Sequence, residues 1–269
     1  MSITLTLDTD PAVPLEAEAI TPDRFSGLGQ ADIAALPVHH GNEEATLGDF
    51  FRVEGSSNGE IHLEGDLHMV KMIGQGMTSG RIVAHGDVGM HVGAMMSGGE
   101  IIVHGNAGDW AGAEMTGGLL HIKGNAGNGL GSGYRGTRIG MNGGQIIVHG
   151  NAGSEVGGAM RRGLIAIGGD SGDFAGVNML AGTIVVFGHL GWRSGASMKR
   201  GTIVSMQEAR MLPTFGYACT YHPTFLRVYL RRLRQAGLPV EDAHITGLYR
   251  RWSGDAVELN RGEILIFES

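Results

Sequence analysis

The sequence repeats one short unit along more than half of its length, and no other feature constrains the fold as much. In each unit a methionine stands three residues before a glycine, and most of these glycines follow one another at intervals of 19 residues. The methionines are Met77, Met96, Met115, Met141, Met160, Met179 and Met198, and the glycines are Gly80, Gly99, Gly118, Gly144, Gly163, Gly182 and Gly201. A fixed period of about 20 residues is typical of solenoid proteins, in which each repeat is one coil that stacks on its neighbours.

Each repeat contains a short β-strand followed by a turn. After the glycine come a polar residue, an alternating stretch rich in isoleucine and valine, and then Gly-Asn or Gly-Asp, as in Gly99–Asn106 and Gly144–Asn151. Side chains two residues apart share one face of a strand, so the apolar pairs point to one side. Such pairs are Ile82 and Ala84, Leu120 and Ile122, Ile165 and Ile167, and Ile184 and Val186. The unit is too short for a pair of helices and predicts one coil of a parallel β-helix.

The predicted fold class is therefore all-β, a single-stranded parallel β-helix of about seven 19-residue turns with an N-terminal cap and a C-terminal helical arm. The methionines are expected to form an interior ladder, because their flexible side chains fill irregular gaps. The ends of a solenoid expose strands and core, so they need covering segments. We predict a cap segment at residues 1–55, the glycine-repeat β-helix at 56–205 and the C-terminal arm at 206–269.

The two flanking segments carry signals of their own. A strand is expected from Ile3 to Leu7 and a short helix near Asp32 to Leu36, before the lead-in Leu47–Gly55. Gly201 begins an eighth turn that the adjoining sequence does not complete. An amphipathic helix is predicted to start at Pro223, and a last strand runs from Glu263 to Phe267. The apolar face of that helix comprises Phe225, Leu226, Tyr229, Leu230 and Leu233.

Two intervals depart from the regular period, and the first, from Gly59 to Gly80, has two extra residues. The interval from Gly118 to Gly144 is seven residues longer than the 19-residue standard, around the segment Gly131–Gly136. Insertions in a solenoid project as loops from one face, which is often the binding face. This loop is the most prominent candidate contact feature within the repeats.

Composition excludes several classes of protein. The chain has one cysteine in 269 residues, which rules out an internal disulfide, and the sequence shows neither a membrane span nor a signal peptide, so a cytoplasmic location is expected. The net charge of −7 is uneven, with ten acids against two arginines in residues 1–55 and seven arginines against Glu241 and Asp242 in residues 210–251. Bulk nucleic-acid binding is not expected from this balance.

Several residues have side chains that catalytic or metal sites use, but their settings argue against such sites. One strand position carries the row Glu64, His85, His104, Lys123, His149, Gly168 and Phe187. The lysine interrupts the histidines and no cysteine or carboxylate accompanies His85 and His104, so a solvated or partner-facing row is favoured over a metal site. The pair His39-His40 precedes Gly41 and would need ligands from elsewhere.

Two further motifs lead to the same conclusion. Cys219 near His222 suggests a nucleophile and a base, yet nothing in the sequence defines an oxyanion hole or an orienting group. The segment Gly168–Asp173 resembles a calcium β-roll, but that motif must recur with a nine-residue period and here it occurs once. From the sequence we therefore assign no catalytic, cofactor or metal residue.

Basic residues at the corners of the coils are the remaining candidates. Arg161 and Arg162 occupy the same corner as Lys199 and Arg200, two turns apart and just before the strand glycine. These four side chains are candidate contacts for a polyanionic ligand or for the acidic surface of a partner. The alternative is that they are ordinary solvated corner charges.

The Gly-x-Ile-x-Val-x-Gly-Asn pattern, the Gly-x-x-Met corner and the lead-in Leu47–Gly55 resemble one superfamily. It is the glycine-repeat β-helix shared by the C-terminal domain of glutamate synthase large subunits and by the C subunit of formylmethanofuran dehydrogenases. A free-standing chain with both flanks is more similar to the latter. The acidic N-terminal region and the arginine-rich C-terminal helix resemble the C subunit of the bacterial formyltransferase/hydrolase complex of methylotrophs.

This resemblance implies a right-handed coil and a role in tetrahydromethanopterin-linked one-carbon metabolism and formaldehyde oxidation. In such complexes a formyltransferase subunit passes formyl from tetrahydromethanopterin to a methanofuran-type carrier. An amidohydrolase-like, metal-containing subunit then releases formate. The C subunit is expected to pack against this amidohydrolase-like subunit and against a molybdoenzyme-like subunit. Its expected role is that of a non-catalytic structural subunit with no cofactor of its own.

Three other functions are kept as alternatives. The chain could be the C subunit of a molybdenum or tungsten formylmethanofuran dehydrogenase, where another subunit oxidises or reduces the one-carbon unit. It could be a carrier-binding module, in which Arg161, Arg162, Lys199 and Arg200 attract an acidic polyglutamyl tail. It could also be an enzyme in its own right, with a site at Tyr134 and Arg135 of the insertion or at His39-His40.

Overall fold

The computed structural model, which describes residues 2–56 and 58–268, is a parallel β-helix with strands added at both ends. Within these residues the main sheet has 13 strands in the order β15-β16-β17-β14-β13-β12-β11-β10-β9-β8-β6-β1-β5, and a smaller sheet has the order β4-β3-β2-β7. The strands are β1 (Ile3–Leu7), β2 (Leu15–Glu16), β3 (Pro37–His40), β4 (Glu43–Thr46), β5 (Phe51–Gly55), β6 (Glu60–Glu64), β7 (Val70–Lys71), β8 (Arg81–Ala84), β9 (Glu100–Val103), β10 (Leu119–Ile122), β11 (Asn142–Val148), β12 (Arg162–Ile167), β13 (Thr183–Val186), β14 (Arg200–Ser205), β15 (Gly216–Tyr221), β16 (Leu248–Gly254) and β17 (Arg261–Glu268). The helices are α1 (Pro22–Phe25), α2 (Gln30–Ala34), α3 (Leu226–Gln235) and α4 (Asp242–Thr246), and a 3₁₀ turn spans Leu47–Asp49.

The predicted parallel stacking of the repeats is confirmed. Strands β6 and β8 to β14 pair in parallel with matching register, so that Ile82 lies beside Ile101 and Ile101 beside Leu120. A second line of parallel bridges, one per coil, runs from Leu67 to Leu190. The apolar strand pairs face inward and are buried, which places the core inside the coils.

The Gly-Asn turns stack as well as the strands. The backbone N–H of Asn106 donates to Asp87 Oδ1 at 2.7 Å, and the N–H of Asn125 donates to Asn106 Oδ1 at 2.8 Å. The same contact continues through Asn151, Asp170 and His189. Each side-chain oxygen therefore satisfies a backbone donor of the next coil, where no strand partner is available.

The structure explains why the methionine and the strand glycine recur together. All seven methionines are 0% exposed, as the sequence predicted for an interior ladder. A Cβ atom built on Gly118 would lie 2.6 Å from Met96 Cε, and one on Gly144 would lie 2.7 Å from Met115 Cε. Each methionine methyl group thus occupies the space that a missing Cβ leaves one coil further on. Gly118 also has a φ of +81°, which other residues rarely adopt.

The N-terminal segment covers the first coil. Strand β1 pairs in parallel with β6 and antiparallel with β5, which continues the main sheet by two strands. Strand β1 begins and ends as predicted, and the short helix lies at Gln30–Ala34, slightly before the predicted position. Asp23 accepts hydrogen bonds from the backbone of Thr78 at 2.8 Å and from the hydroxyl of Ser79 at 3.1 Å, which ties α1 to the first coil.

The C-terminal arm covers the outer face of the last coils. Leu226, Leu230 and Leu233 of α3 are buried against a second apolar cluster that includes Ala166, Val185 and Val204 of the sheet. The helix starts at Leu226 and not at Pro223, because Pro223 lies in a preceding turn whose carbonyl accepts the Leu226 N–H. Phe225 precedes the helix, so helical spacing does not place it on the buried face, and it is 42% exposed.

The final strand stacks on the coil that the sequence leaves open. After β14 the chain departs through β15, α3 and α4, and then returns as β16 and β17. Strand β17 pairs in parallel with β14, with Gly262 beside Gly201 and Ile264 beside Ile203. It therefore occupies the strand position that follows the strand of the eighth turn. None of the helices among the described residues has the length and apolar character that crossing a membrane requires.

Candidate functional site

Three features that the sequence separates come together in one surface groove. Its wide end, of about 580 Å³, is lined by Thr137–Ile139 of the insertion, by corner residues that include Lys199, and by Glu258 of the loop between β16 and β17. Its narrow end, of about 470 Å³, is lined by Arg161, Arg162, Leu180, Ala181, Lys199, Arg200 and Leu259. Leu180 and Lys199 line both ends, so the two form one continuous surface, which we call the basic groove.

The corner geometry places the cations outside the coil. Met160 and Met198 are 0% exposed, and the residues that follow them, Arg161 and Lys199, point away from the core and are exposed. The preceding corner residues Ala159 and Ser197 have φ values of 56° and 58°, in the left-handed region. The backbone therefore reverses at each corner and presents the same side-chain direction on successive coils.

Most of the positive charge in the groove is not neutralised by the residues that the structure describes. Arg161, Arg162 and Arg200 form no ion pair with any residue that the structure describes. Lys199 Nζ lies 3.8 Å from Glu258 Oε2, and both side chains are substantially exposed. Arg200 is also the direct strand neighbour of Arg261, which adds a further cation at this edge. Adjacent like charges favour an anionic ligand or partner.

The groove lining also includes exposed apolar side chains. Ile139 is 38% exposed and Leu259 is 51% exposed, although both are large hydrophobic side chains. A lining that combines cations with apolar side chains suits a ligand that carries anionic groups along a less polar chain. The sequence indicated the corner cations and the insertion separately. It did not show that Leu259 and Glu258, about 60 residues further along the chain than Lys199, complete the same groove.

The other candidate residues of the sequence have structural partners. His85 stacks on His62 and on His104 with ring centroids 5.4 Å apart, along the outer face of the sheet. Among residues 2–56 and 58–268, no three His, Cys, Asp or Glu side chains are arranged to hold a metal ion. His40 packs against Phe50 with centroids 5.1 Å apart, inside the hairpin β3–β4.

The remaining two motifs are also accounted for. His222 Nδ1 bonds to the carbonyl of Gly247 at 2.9 Å, and Cys219 is exposed on β15, so the pair forms no described contact. Asp170 and Asp173 of the segment Gly168–Asp173 accept the backbone N–H groups of His189 at 2.7 Å and Trp192 at 2.8 Å. Their carboxylates therefore belong to the stacked turns.

One polar cluster was not predicted from the sequence. His121 Nε2 lies 2.8 Å from His149 Nε2, and Lys123 Nζ lies 3.0 Å from the first and 3.3 Å from the second. Burial, followed by Lys123, His149 and His104, lowers the pKa of His121 to about 4. Burial and Lys123 also lower the pKa of His149. The sequence placed Lys123 and His149 in one row, but His121 belongs to the neighbouring row, so only the register of the sheet brings the three together.

Comparisons with known proteins extend beyond these local features. No family model matches the chain. It is 45% identical over 95 residues to the C subunit of the molybdenum-containing formylmethanofuran dehydrogenase 1 of Methanothermobacter marburgensis. This alignment covers 35% of this chain and 24% of that protein. It is 47% identical over 97 residues to the C subunit of the tungsten-containing formylmethanofuran dehydrogenase 2 of Methanothermobacter thermautotrophicus. This second alignment covers 34% of this chain and 36% of that protein. The match thus spans about a quarter to a third of the length of these relatives.

The likeness to a solved structure extends over the whole chain. A chain of the formyltransferase/hydrolase complex (FhcABCD) from Methylorubrum extorquens, solved in complex with methylofuran, superimposes with a TM-score of 0.92 at 34% identity. The superposition covers 99% of this chain and 100% of that chain. Fold and repeats define a glycine-repeat β-helix protein with a capping segment and a C-terminal arm. The chain belongs to the family of formylmethanofuran dehydrogenase C subunits, and over its whole length it is similar to a chain of the formyltransferase/hydrolase complex.

Proposed function

We propose that this chain is a non-catalytic structural subunit of a cytoplasmic formyltransferase/hydrolase complex. That complex moves formyl from tetrahydromethanopterin to a methanofuran-type carrier and releases formate. The observation that carries the proposal is the whole-length likeness to a chain of the Methylorubrum extorquens complex, which includes the cap and the arm. The likeness to the molybdenum and tungsten dehydrogenases is confined to 95 to 97 residues, which favours the hydrolytic complex over the alternative of a dehydrogenase.

The architecture suits a protein that holds others in place. The interior coils are closed by stacked strands, stacked turns and buried methionines, so this part of the chain has few ways to deform. We propose that formyl transfer and hydrolysis occur on partner subunits, namely a formyltransferase subunit and an amidohydrolase-like, metal-containing subunit. A molybdoenzyme-like subunit is the third proposed partner. We assign no catalytic residue and no resident cofactor to this chain.

Co-expression with the three proposed partner subunits tests this role. We expect this chain to co-purify with them as one hetero-oligomer, and we expect formyl transfer and formate release to require the assembled complex. Size-exclusion chromatography coupled to light scattering reports assembly, and a formate assay reports activity. A chain that binds none of the three subunits, or that turns over substrate alone, would contradict the proposal.

We propose in addition that the basic groove contacts the acidic tail of the methanofuran-type carrier. The supporting observation is the set of cations that form no ion pair within residues 2–56 and 58–268, Arg161, Arg162 and Arg200, together with the weakly paired Lys199. A tail that bears several carboxylates would form charge-assisted hydrogen bonds with these guanidinium groups. Because the contacts are exposed, each is expected to contribute modestly and to weaken as the salt concentration rises.

Removing three charges from the groove tests this contact. We expect R161Q/R162Q/R200Q to lower the affinity for the carrier about tenfold or more, since three exposed charge contacts of about 0.5–1 kcal/mol each are lost. The loss should shrink at high salt while assembly is unchanged. The matched control is R227Q/R231Q/R232Q on α3, where Arg231 and Arg232 are exposed and Arg227 is half-buried, and it removes the same charge from another surface. Equal effects of the two triple variants would show that only net charge matters.

A further inference from the structure

The insertion between Gly118 and Gly144 is fixed to the β-helix at its base. The N–H of Gly133 donates to the carbonyl of Gly158 at 3.0 Å, and the N–H of Gly140 donates to the carbonyl of Ala159 at 2.8 Å. The N–H of Met141 closes the base by donating to the carbonyl of Gly131 at 3.0 Å. Both ends of the loop are therefore held by the neighbouring corner, and only the tip at residues 134–138 needs another support.

Tyr134 supplies that support by folding back onto earlier coils. Its ring lies 5.5 Å from the ring of His91 and 6.4 Å from that of Trp110, measured between centroids. Its hydroxyl lies 2.9 Å from His91 Nδ1, and its backbone N–H donates to Glu114 Oε1 at 3.1 Å. Burial and the charge of Glu114 raise the pKa of Tyr134 to about 12, and burial lowers the pKa of His91. The hydrogen bond thus joins two neutral groups at pH 7.

The anchored tyrosine sets the course of the residues that reach the groove. The backbone N–H and the hydroxyl of Thr137 both donate to the carbonyl of Tyr134, at 3.0 Å and 2.8 Å. This turn leads directly to Arg138 and Ile139, which line the wide end of the groove. Arg135, in contrast, is exposed and is not part of the groove lining. The two arginines of the loop therefore differ in position although they are three residues apart.

We infer that Arg138 is a further ligand-binding cation of the basic groove and that Tyr134 is the residue that positions it. The inference rests on the proposed carrier contact and extends it. The ligand is a linear polyanion that runs from the Arg161 end, past Leu180, to the Arg138 end, because the lining is continuous between the two. A single small anion would contact only one end of the groove.

Glu258 is a groove residue that should oppose the binding of an anionic ligand. Its carboxylate lies within the wide end, 3.8 Å from Lys199, and its side chain competes with any ligand carboxylate for that ammonium group. The repulsion between Glu258 and an anionic ligand should therefore weaken binding in the native protein. Removing the charge with E258Q should strengthen binding, whereas removing the charge of Arg138 should weaken it.

Binding of a synthetic glutamate hexapeptide to the full-length chain, measured by fluorescence anisotropy, tests both residues. We expect R138Q and Y134A each to weaken binding about threefold to tenfold, E258Q to strengthen it about threefold, and Y134F to stay near the wild type because the ring is retained. The matched control is R135Q, which removes a charge from the same loop outside the groove. Its affinity should equal that of the wild type within about a factor of two.

The double variant Y134A/R138Q separates positioning from general damage. If Tyr134 acts through Arg138, adding Y134A to R138Q causes no further loss, since the two effects share one contact. Limited trypsin digestion should also show faster cleavage at Arg135 and Arg138 in Y134A than in Y134F. Additive losses in the double variant, or a loss in R135Q equal to that in R138Q, would overturn the inference. If the wild-type chain does not bind the hexapeptide, both the proposed carrier contact and the inference about Arg138 are wrong. If the wild type binds it and R138Q binds it equally well, only the inference about Arg138 is wrong.

Discussion

Replacing Leu230 by aspartate is expected to release the C-terminal arm from the β-helix. Leu230 is 0% exposed and lies in the middle of α3, within the apolar cluster that joins the helix to the outer face of the sheet. The variant loses the packing of a leucine and must bury or expose a carboxylate, so we expect the free energy of unfolding to fall by on the order of 4 kcal/mol. The expected result is a chain whose coils persist while the arm is detached.

The same helix provides the control. Val228 is 74% exposed, two residues before Leu230, so V228D adds the same charge with little loss of packing. We expect V228D to change the stability by less than about 0.5 kcal/mol. Urea denaturation followed by circular dichroism measures both variants. Similar losses in the two would mean that α3 is not held through its leucine face.

Release of the arm would also expose apolar side chains on the outer face of the sheet. Ala166, Val185 and Val204 are 0% exposed beneath the arm, on the face that would otherwise be the outside of the solenoid. Exposed apolar patches of this kind promote association. We therefore expect L230D to bind a hydrophobic dye and to elute as larger species, whereas V228D should not.

Much of the fold follows from the sequence because the repeats obey one local rule. Alternation with a period of two sets which side chains face inward, and a one-residue slip would expose every one of them. The 19-residue spacing then stacks equivalent positions, so a single coil predicts its neighbours. The buried methionines were predicted for the same reason, although their contact with the strand glycine of the next coil emerges only from the three-dimensional spacing.

The parts that lie outside the repeat were harder to predict, since their partners are distant in sequence. Nothing local shows that β17 continues the sheet beside β14, or that Glu258 and Leu259 return to the corner of Lys199. The insertion was predicted as a projecting loop and a contact feature. In the structure Tyr134 folds inward onto His91 and Trp110, a contact whose residues lie 24 and more positions apart. Pairings of this kind depend on tertiary packing and not on local pattern.

Acidification is expected to destabilise the protein through the cluster of His121, Lys123 and His149. In the folded chain burial and Lys123 lower the pKa of both imidazoles, and that of His121 falls from 6.5 to about 4. The unfolded chain takes up a proton below pH 6.5, so acid favours the unfolded state. The contribution of His121 to stability is therefore complete above pH 6.5 and is lost progressively as the pH falls toward about 4.

Comparing the pH dependence of wild type and H121Q isolates this contribution. We expect the free energy of unfolding of the wild type to decrease across this range by on the order of 1 kcal/mol more than that of H121Q, a value reduced because the imidazole is partly screened by solvent. H39Q, in the exposed part of the β3–β4 hairpin, serves as the control and should retain the slope of the wild type. Lowered pKa values of Asp23 and Asp255 act in the same direction but below pH 3.8, where carboxylates protonate. His149 also bonds to the backbone at Ala236, beside the C-terminal end of α3, and this bond raises the pKa of His149, so it favours the protonated imidazole and partly offsets burial and Lys123.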